Sequence, residues 1–599
     1  MKLSPELKKL GDFTTTMRVL PIAGIAMVIG LIAAFVALGL LRLIGFFTNL
    51  FYYQRLGSNL VSPAGNHLGW WAVLVPVAGG LIIGLMARYG SEKIRGHGIP
   101  EAIESILISG SKVHPKLAIL KPLSAALSIG TGGPFGAEGP IIMTGGAFGS
   151  MIAQFFHLTS SERKTLLVAG AAAGMSATFA APLSAILLAV ELLLFEWKPR
   201  SLIPVALASA TAGAARRYLI GLGPLFPTPA HPVFIGPAGL IGCIICGLLA
   251  GALSALLTGA VYAAEDAFAK LPIHWMWWPA IGGLVIGAGG MIFPQALGVG
   301  YDTIGSLLQG NGAIGLLLGI LLVKSTMWAV SLGSGTSGGV LAPLLMMGGA
   351  LGGLEASFLP AAGAGFWPLV SMGAILGGTM RSPFTGIVFA VELTHDVNMI
   401  LPLLVAAIIA HTFTVLVLKR SILTEKVARR GFHLSREYSV DPLEVLFVRE
   451  VMRTRLIAFD GSATLDDARR MLKDGHPSRG QHLYPVIDAD RRLRGVLTRK
   501  DLAGASGDRT LIFELERRDP VVAVADESLR TVVYRMAETG FTRLPVVDSA
   551  EERRLVGMLS LDDLLHARAR NLSEERSRER VLHIRLPFRG ARKPVPVEE

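Results

Sequence analysis

The sequence predicts an all-α, polytopic membrane body with an internal repeat and broken helices, followed by a small α/β module present twice. Three observations carry this prediction. The 599 residues are 51% hydrophobic and only 17% charged, against about a quarter charged in soluble domains, and the mean hydropathy is +0.53. The charge is uneven: long stretches before residue 420 carry almost none, whereas residues 425–599 are densely charged. Finally, both regions repeat themselves, each at its own offset.

The membrane body comes first. A helix needs roughly 20 apolar residues to cross a bilayer. Uncharged or nearly uncharged runs of that order lie at Val19–Leu41, Leu68–Ala87, Leu166–Val190, Pro232–Ala264, Ser325–Leu354 and Val397–Leu418. The first run is too long for a signal-peptide core and reads as a retained helix. The net charge is +12. Much of the basic excess sits at the two ends (Lys2, Lys8, Lys9, Arg18; Arg429, Arg430 and the Arg-rich tail), the pattern of a positive-inside topology with both termini cytoplasmic. Nucleic acid is therefore not the expected partner. Cys243 and Cys246 form a C-x-x-C within an apolar run without a supporting ligand cluster, so they read as small buried packing residues.

Within this body SIGTGGPFGAEGPIIMTGGAFG (Ser128–Gly149) aligns without gaps on SLGSGTSGGVLAPLLMMGGALG (Ser331–Gly352), carrying Gly130 to Gly333, an offset of 203. APLSAILLAVEL from Ala181 matches SPFTGIVFAVEL from Ser382, and GHGIPEAI from Gly96 matches GVGYDTIG from Gly298, at nearly the same spacing. Repeated halves with glycine-broken apolar segments are a transporter pattern, with the substrate where broken helices meet near mid-membrane. The spacing does not say whether the halves are parallel or inverted.

The breaks have a common form. Glycine-rich backbone leads to a proline and then an apolar run at Gly98-Ile99-Pro100, Glu138-Gly139-Pro140 and Leu341-Ala342-Pro343. Proline fits a first helical turn, where its missing N–H has no partner to lose. Three helices are thus expected to begin inside the membrane. A helix start presents unpaired N–H groups and partial positive charge, an anion site weak enough to release its ion. None of the three stretches contains lysine or arginine, and tight glycine-mediated packing is the competing explanation for each taken alone. Glu138 is the one carboxylate in the second break; the same dipole lets it occupy an anion's seat, and protonation would release it.

Taken together, Gly96-His97-Gly98-Ile99-Pro100-Glu101, Gly136-Ala137-Glu138-Gly139-Pro140 and Gly339-Val340-Leu341-Ala342-Pro343 resemble the three signature motifs of the CLC chloride channels and transporters, in the family's order. The resemblance covers residues 15–430. It implies a homodimer of inverted-repeat subunits, each with its own path for chloride or a similar small anion. It also implies anion-binding roles for His97, Gly98, Ile99, Pro100, Gly136, Ala137, Gly139, Gly339, Val340 and Leu341, and a gating and proton-carrying role for Glu138. His97 stands where the family usually has serine, and either its N–H or the backbone alone serves the ion. RSILTEKVARRG (Arg420–Gly431) resembles the family's last helix, with Leu423 in place of a tyrosine, so the central site should bind more weakly. Leu192 falls where many exchangers carry an inner proton-transfer glutamate, beside Glu191, and Glu196 is the nearest other carboxylate. Channel and proton-coupled exchanger both stay open.

The second region repeats too. LYPVIDADRRLRGVLTRKDL (Leu483–Leu502) parallels RLPVVDSAEERRLVGMLSLDDL (Arg543–Leu564), and the upstream SATLDDARRML and ESLRTVVYRMA have helical spacing. This resembles a tandem pair of CBS domains, the regulatory module of many channels. The pattern places Thr498, Asp501, Ser560 and Asp563 as candidates for an adenine nucleotide, or simply as helix caps. The expected boundaries are a cytoplasmic N-terminal segment at 1–17, a membrane domain at 18–432 in halves 18–220 and 221–432, and a linker at 433–446. CBS domains at 447–505 and 513–568, within 447–570, and a basic disordered tail at 571–599 complete the chain. The expected location is the cell's inner membrane, with the lipid bilayer as surroundings and no required cofactor, metal or catalytic group. The alternative reading is a divalent-cation channel with the same soluble module, which needs several acidic residues in its spans; the motif stretches offer only Glu101 and Glu138. An intramembrane enzyme lacks a nucleophile paired with a base.

Overall fold

The computed structural model describes residues 13, 15–107, 111–233, 235–430, 443, 446–473, 481–505 and 509–576. Lys2, Lys8 and Lys9, most of the expected linker and residues 577–599 of the tail lie outside these. The chain divides into two compact units, Met1–Arg436 and Glu437–Glu599.

In the first unit every described element is helical. Among the described residues six helical stretches are long and apolar enough to cross a membrane: Val19–Tyr53, Gly69–Tyr89, Gly236–Ala269, Trp275–Ile292, Ile314–Gly333 and Val397–Arg429. Helix α1 (Val19–Tyr53) runs past the expected end at Leu41. Arg42 does not stop it, because its guanidinium leaves the helix to bond Ser58 Oγ and Asn59 Oδ1 at 3.3 and 2.8 Å. Helix α2 spans Leu74–Tyr89, α3 Ile99–Leu107, α4 Pro115–Gly130, α5 Glu138–Gln154, α6 Ser160–Phe179, α7 Pro182–Leu188 and α8 Pro199–Leu219. The second half follows as α9 (Gly236–Ala269), α10 (Trp278–Ile292), α11 (Tyr301–Leu308), α12 (Ile314–Gly319), α13 (Ser325–Gly333), α14 (Leu341–Glu355), α15 (Phe366–Met380), α16 (Pro383–Thr394), α17 (Ile400–Val417) and α18 (Ile422–Arg429).

Two of the uncharged runs are not single helices. Leu166–Val190 breaks between α6 and α7, where Ala180 takes a left-handed conformation and Pro182 has no N–H to continue the ladder. Ser325–Leu354 breaks between α13 and α14 at the glycine-rich loop, with Gly335 at φ +83. Hydropathy alone cannot see either break, because the loop residues are as apolar or as small as the helix around them.

The repeat is visible as reciprocal contacts. On α2 and α10, a Cβ placed on Gly80 would stand 2.6 Å from the carbonyl carbon of Pro279, and one on Gly283 would stand 2.7 Å from that of Pro76. Each pair maps onto the other at the offset of 203, so the two helices cross at a local two-fold axis. The same relation governs two buried lysines. Lys121 Nζ donates to the carbonyls of Ile94 and Gly96, both at 2.8 Å. Lys324 Nζ donates to those of Ala296 and Gly298, at 3.1 and 3.0 Å. Each lysine Nζ caps the left-handed G-x-G backbone that leads into a short helix, α3 or α11. Cys243 and Cys246 are buried as expected, and Cys246 Sγ also donates to Glu355 Oε2 at 2.5 Å.

The second unit holds two sheets. One has the order β1 (Phe459–Asp460), β2 (Leu483–Ile487), β3 (Leu493–Thr498) and β4 (Arg517–Arg518); the other has β5 (Ala523–Val524), β6 (Arg543–Val547) and β7 (Leu555–Ser560). The β2–β3 register, Leu483 opposite Thr498, is repeated by Arg543 opposite Ser560. The expected helices lie at Leu465–Lys473 and Leu529–Thr539. One boundary differs from the sequence reading. Residues 446–453 pack on the second module: Val448 is buried in its core, and Arg453 exchanges backbone bonds with Met558 at 2.9 and 3.0 Å. Ile512 conversely packs in the first module's core. Local patterning could not show this exchange, because each segment is too short to reveal its partner. The last helix, Leu561–Arg576, continues past the expected domain end.

Candidate functional site

The three expected helix starts exist and meet. α3, α5 and α14 begin at Ile99, Glu138 and Leu341, each within a few residues of its motif proline. Gly136 donates its N–H to the Gly339 carbonyl at 3.2 Å, and Gly339 returns a bond to Gly136 at 2.8 Å. These two glycines are equivalent in the repeat, so the starts of α5 and α14 face each other across the two-fold axis. The first motif closes the third side. Gly98 sits at φ +91, and a Cβ there would stand 2.6 Å from the Gly139 carbonyl. Only glycine allows both that conformation and that approach. Gly96 pairs with Ser337, next to the third motif.

Glu138 is fully buried at this junction. Its Oε1 accepts the N–H of Ala342, in the first turn of α14, at 3.1 Å, while Oε2 has no partner. The carboxylate therefore reaches the helix start of the opposite half. A donor that a carboxylate occupies is one an anion can use once the carboxylate leaves.

His97 is buried with its carbonyl against Gly139, and its Nδ1 has no hydrogen-bond partner. Ile99, Pro100, Ala137, Val340 and Leu341 are likewise buried. Leu423 is buried on α18, whose start is capped by Ser421 accepting the Thr424 N–H at 3.3 Å. No tyrosine hydroxyl arises at this position; Tyr262 instead donates to the neighbouring Ile422 carbonyl at 2.5 Å.

The motif stretches lack basic residues, but the fold brings some to them. Glu101 accepts the Gly98 N–H at 2.9 Å and pairs with Arg430 at 3.0 Å and Lys426 at 3.9 Å. Lys121 lies against Gly96 from the other side. Sequence reading missed this basic surround, since its members are far apart in the chain. The one available signal was that Lys121 and Lys324 share the repeat offset.

Leu192 is a buried apolar residue where a second inner carboxylate was sought. Glu191 turns away to accept from Thr385 N and Oγ1 at 2.9 and 2.5 Å. Glu196 is held by Ser201 and Lys198. Among the described residues no group of three or more His, Cys, Asp or Glu side chains could hold a metal ion.

In the second unit both candidate pairs are capping boxes. Asp501 Oδ2 accepts from Thr498 N and Oγ1 at 2.8 and 2.7 Å, and Asp563 Oδ2 accepts from Ser560 N and Oγ at 2.8 and 2.5 Å. Arg517 and Arg453 pair with the free carboxylate oxygens. Burial works to raise the Asp501 carboxyl, but the Arg517 guanidinium and the Thr498 donors outweigh it and hold it below the usual carboxylate range. Thr498 lines a cleft of about 440 Å³ with His482, Arg499, Lys500, Arg517, Phe541 and Arg543. Asp563 lines a smaller one with Glu450 and His566.

Comparison with known proteins fits this architecture. The family model described as voltage gated chloride channel matches residues 79–415, and the CBS domain model matches 448–508 and 512–570. A putative chloride channel protein, ClcB-like, of Ralstonia nicotianae is 31% identical over 362 residues, 59% of this chain and 84% of that protein. The H(+)/Cl(-) exchange transporter ClcA of Yersinia pestis is 33% identical over 346 residues, covering 54% and 70%. Among solved structures, a slow cyanobacterial Cl-/H+ antiporter superposes with a TM-score of 0.62 at 22% identity, over 70% of this chain and 99% of that one. A eukaryotic CLC transporter gives 0.57 at 19% identity, over 92% and 99%. These matches count against the divalent-cation alternative. The motifs that meet at Gly136 and Gly339 lie inside the matched span, and this multi-pass membrane chain belongs to the voltage gated chloride channel family, with a tandem pair of CBS domains after its membrane body.

Proposed function

We propose that the protein moves chloride, or a small anion like it, through the junction of α3, α5 and α14, with Glu138 as a movable plug. One observation carries the reading: a buried carboxylate from one half holds the N–H of Ala342 at the helix start of the other half, with its second oxygen unpartnered. An anion and the deprotonated side chain compete for the same donors. Protonation cancels the charge that holds Glu138 there, and so couples a proton to the passage of the ion. Named relatives that exchange protons for chloride support the coupling; the apolar Leu192 means any inner proton route differs from one built on a carboxylate at that position. The chain works as a homodimer in the cell's inner membrane with both termini cytoplasmic, each subunit carrying its own path.

The test is flux from reconstituted vesicles with simultaneous pH recording. Glu138→Gln keeps anion flux and abolishes proton movement. Proton transport that persists in that variant removes Glu138 from the mechanism.

For the soluble module we infer that an adenine nucleotide binds at the Thr498 cleft rather than at Asp563. Four arginine or lysine side chains and Phe541 line the first, suiting phosphates and a base, whereas Glu450 in the second repels phosphate. Calorimetry with ATP on the intact protein and on Arg543→Ala checks this. Undiminished binding in the variant rules the cleft out.

A further inference from the structure

Leu423 removes one hydroxyl from the expected anion path, and another hydroxyl in the same region has no partner. Tyr301 is the first residue of α11, which stands in the second half where α3 stands in the first; Tyr301 corresponds to Ile99 of the first motif. Its hydroxyl oxygen is buried and makes no hydrogen bond. Its ring is held edge-on against Phe226, with centroids 5.9 Å apart. A buried hydroxyl is costly to leave unpaired, so a partner is expected to visit it.

Two surroundings define that partner. The start of α11 packs on α14, where a Cβ placed on Gly300 would stand 2.9 Å from Met346 Sδ, and Glu138 Oε2 at the start of α14 is itself buried and unpaired. On the other side Tyr301 lines a cavity of about 60 Å³ with Thr48, Ile129, Gly298, Gly300 and Asp302. That volume holds a small ion or a few waters. Lys324 backs this cavity: its ammonium bonds the Gly298 carbonyl at 3.0 Å, and a Cβ placed on Gly300 would stand 3.3 Å from Nζ. No carboxylate lies within salt-bridge distance of Lys324 among the described residues. Asp302 is exposed at the first turn of α11, on the solvent side.

We propose that the Tyr301 hydroxyl is a specificity-determining donor: it hydrogen-bonds the anion that replaces the Glu138 carboxylate at the start of α14. The inference rests on the anion-path reading above. It assigns to α11 of the second half a role that no signature motif of the sequence carries. An anion that accepts hydrogen bonds strongly, such as chloride, gains from Tyr301 more than a diffuse one such as thiocyanate.

Tyr301→Phe deletes only the unpaired oxygen. Chloride and thiocyanate binding are measured by calorimetry on the full-length protein in the Glu138→Gln background, where the seat is free, with and without Tyr301→Phe. Losing a hydrogen bond to a charged group predicts chloride affinity lower by roughly tenfold or more, with thiocyanate changed much less. Melting temperatures supply a folding control. In chloride-free buffer Tyr301→Phe melts at or above the parent, because it removes an unsatisfied group, whereas the rise in melting temperature produced by chloride shrinks. Equal chloride affinity in both proteins overturns the role of Tyr301 alone, as does a lower melting temperature in chloride-free buffer, which would mean that the hydroxyl serves the fold. Absence of chloride binding in the Glu138→Gln parent overturns the anion-path reading, and this inference with it.

Discussion

Glu191 and Glu392 cap each other's halves. Glu191 accepts the N–H of Thr385 at the start of α16, and Glu392 accepts those of Leu183 and Ser184 at the start of α7, at 2.8 Å each. Each carboxylate comes from the end of the helical stretch that begins at the position it caps in the other half. The repeat is therefore closed on itself by charge, as well as packed by the glycines of α2 and α10.

Breaking one cap should weaken both halves. Glu392→Ala is expected to cost about 1 kcal/mol, the usual loss for a helix cap, read as a lower melting temperature in detergent. Glu392→Gln should retain part of it, since an amide oxygen still accepts an N–H.

The α2–α10 crossing tolerates no side chain. Gly283→Val is expected to destabilise by about 1–3 kcal/mol through overpacking against Pro76, seen as a lower melting temperature. Gly315→Val gives the contrast: a Cβ there meets nothing within 4 Å, and only the small difference in helix propensity should register.

Leu423→Tyr would return a hydroxyl to the last helix. Chloride affinity measured by calorimetry should rise severalfold if the new oxygen reaches the ion, in keeping with a charged hydrogen bond. No gain would mean that the fully buried Leu423 position faces packing rather than the path.

Asp501 links the soluble module to pH. Its carboxyl is held below the ordinary range by Arg517 and Thr498, against the opposing effect of burial. A depressed native pKa stabilises the fold above the unfolded value of about 3.9, and the contribution is lost as pH falls through the native value. The stability difference between the native protein and Asp501→Asn, read by urea unfolding of the CBS transition, should thus be full at pH 7 and shrink below about pH 4. A difference that stays constant down to pH 2 would assign the effect to packing.

The membrane body, the repeat and the soluble α/β pair were all legible in the amino-acid order alone. Hydropathy fixes which runs leave water. The glycine–proline punctuation fixes where Glu138 and Leu341 begin helices, because those backbone constraints are local. The capping pairs Thr498–Asp501 and Ser560–Asp563 were legible for the same reason, as their partners lie three residues apart. Long-range packing alone settles that Glu138 reaches the start of α14, that Lys121, Lys426 and Arg430 gather around the first motif and its Glu101, and that residues 446–453 complete the second CBS core. Those contacts join residues tens to hundreds of positions apart, and the energy that selects them comes from burying whole helices against one another, a quantity that no single stretch of chain contains.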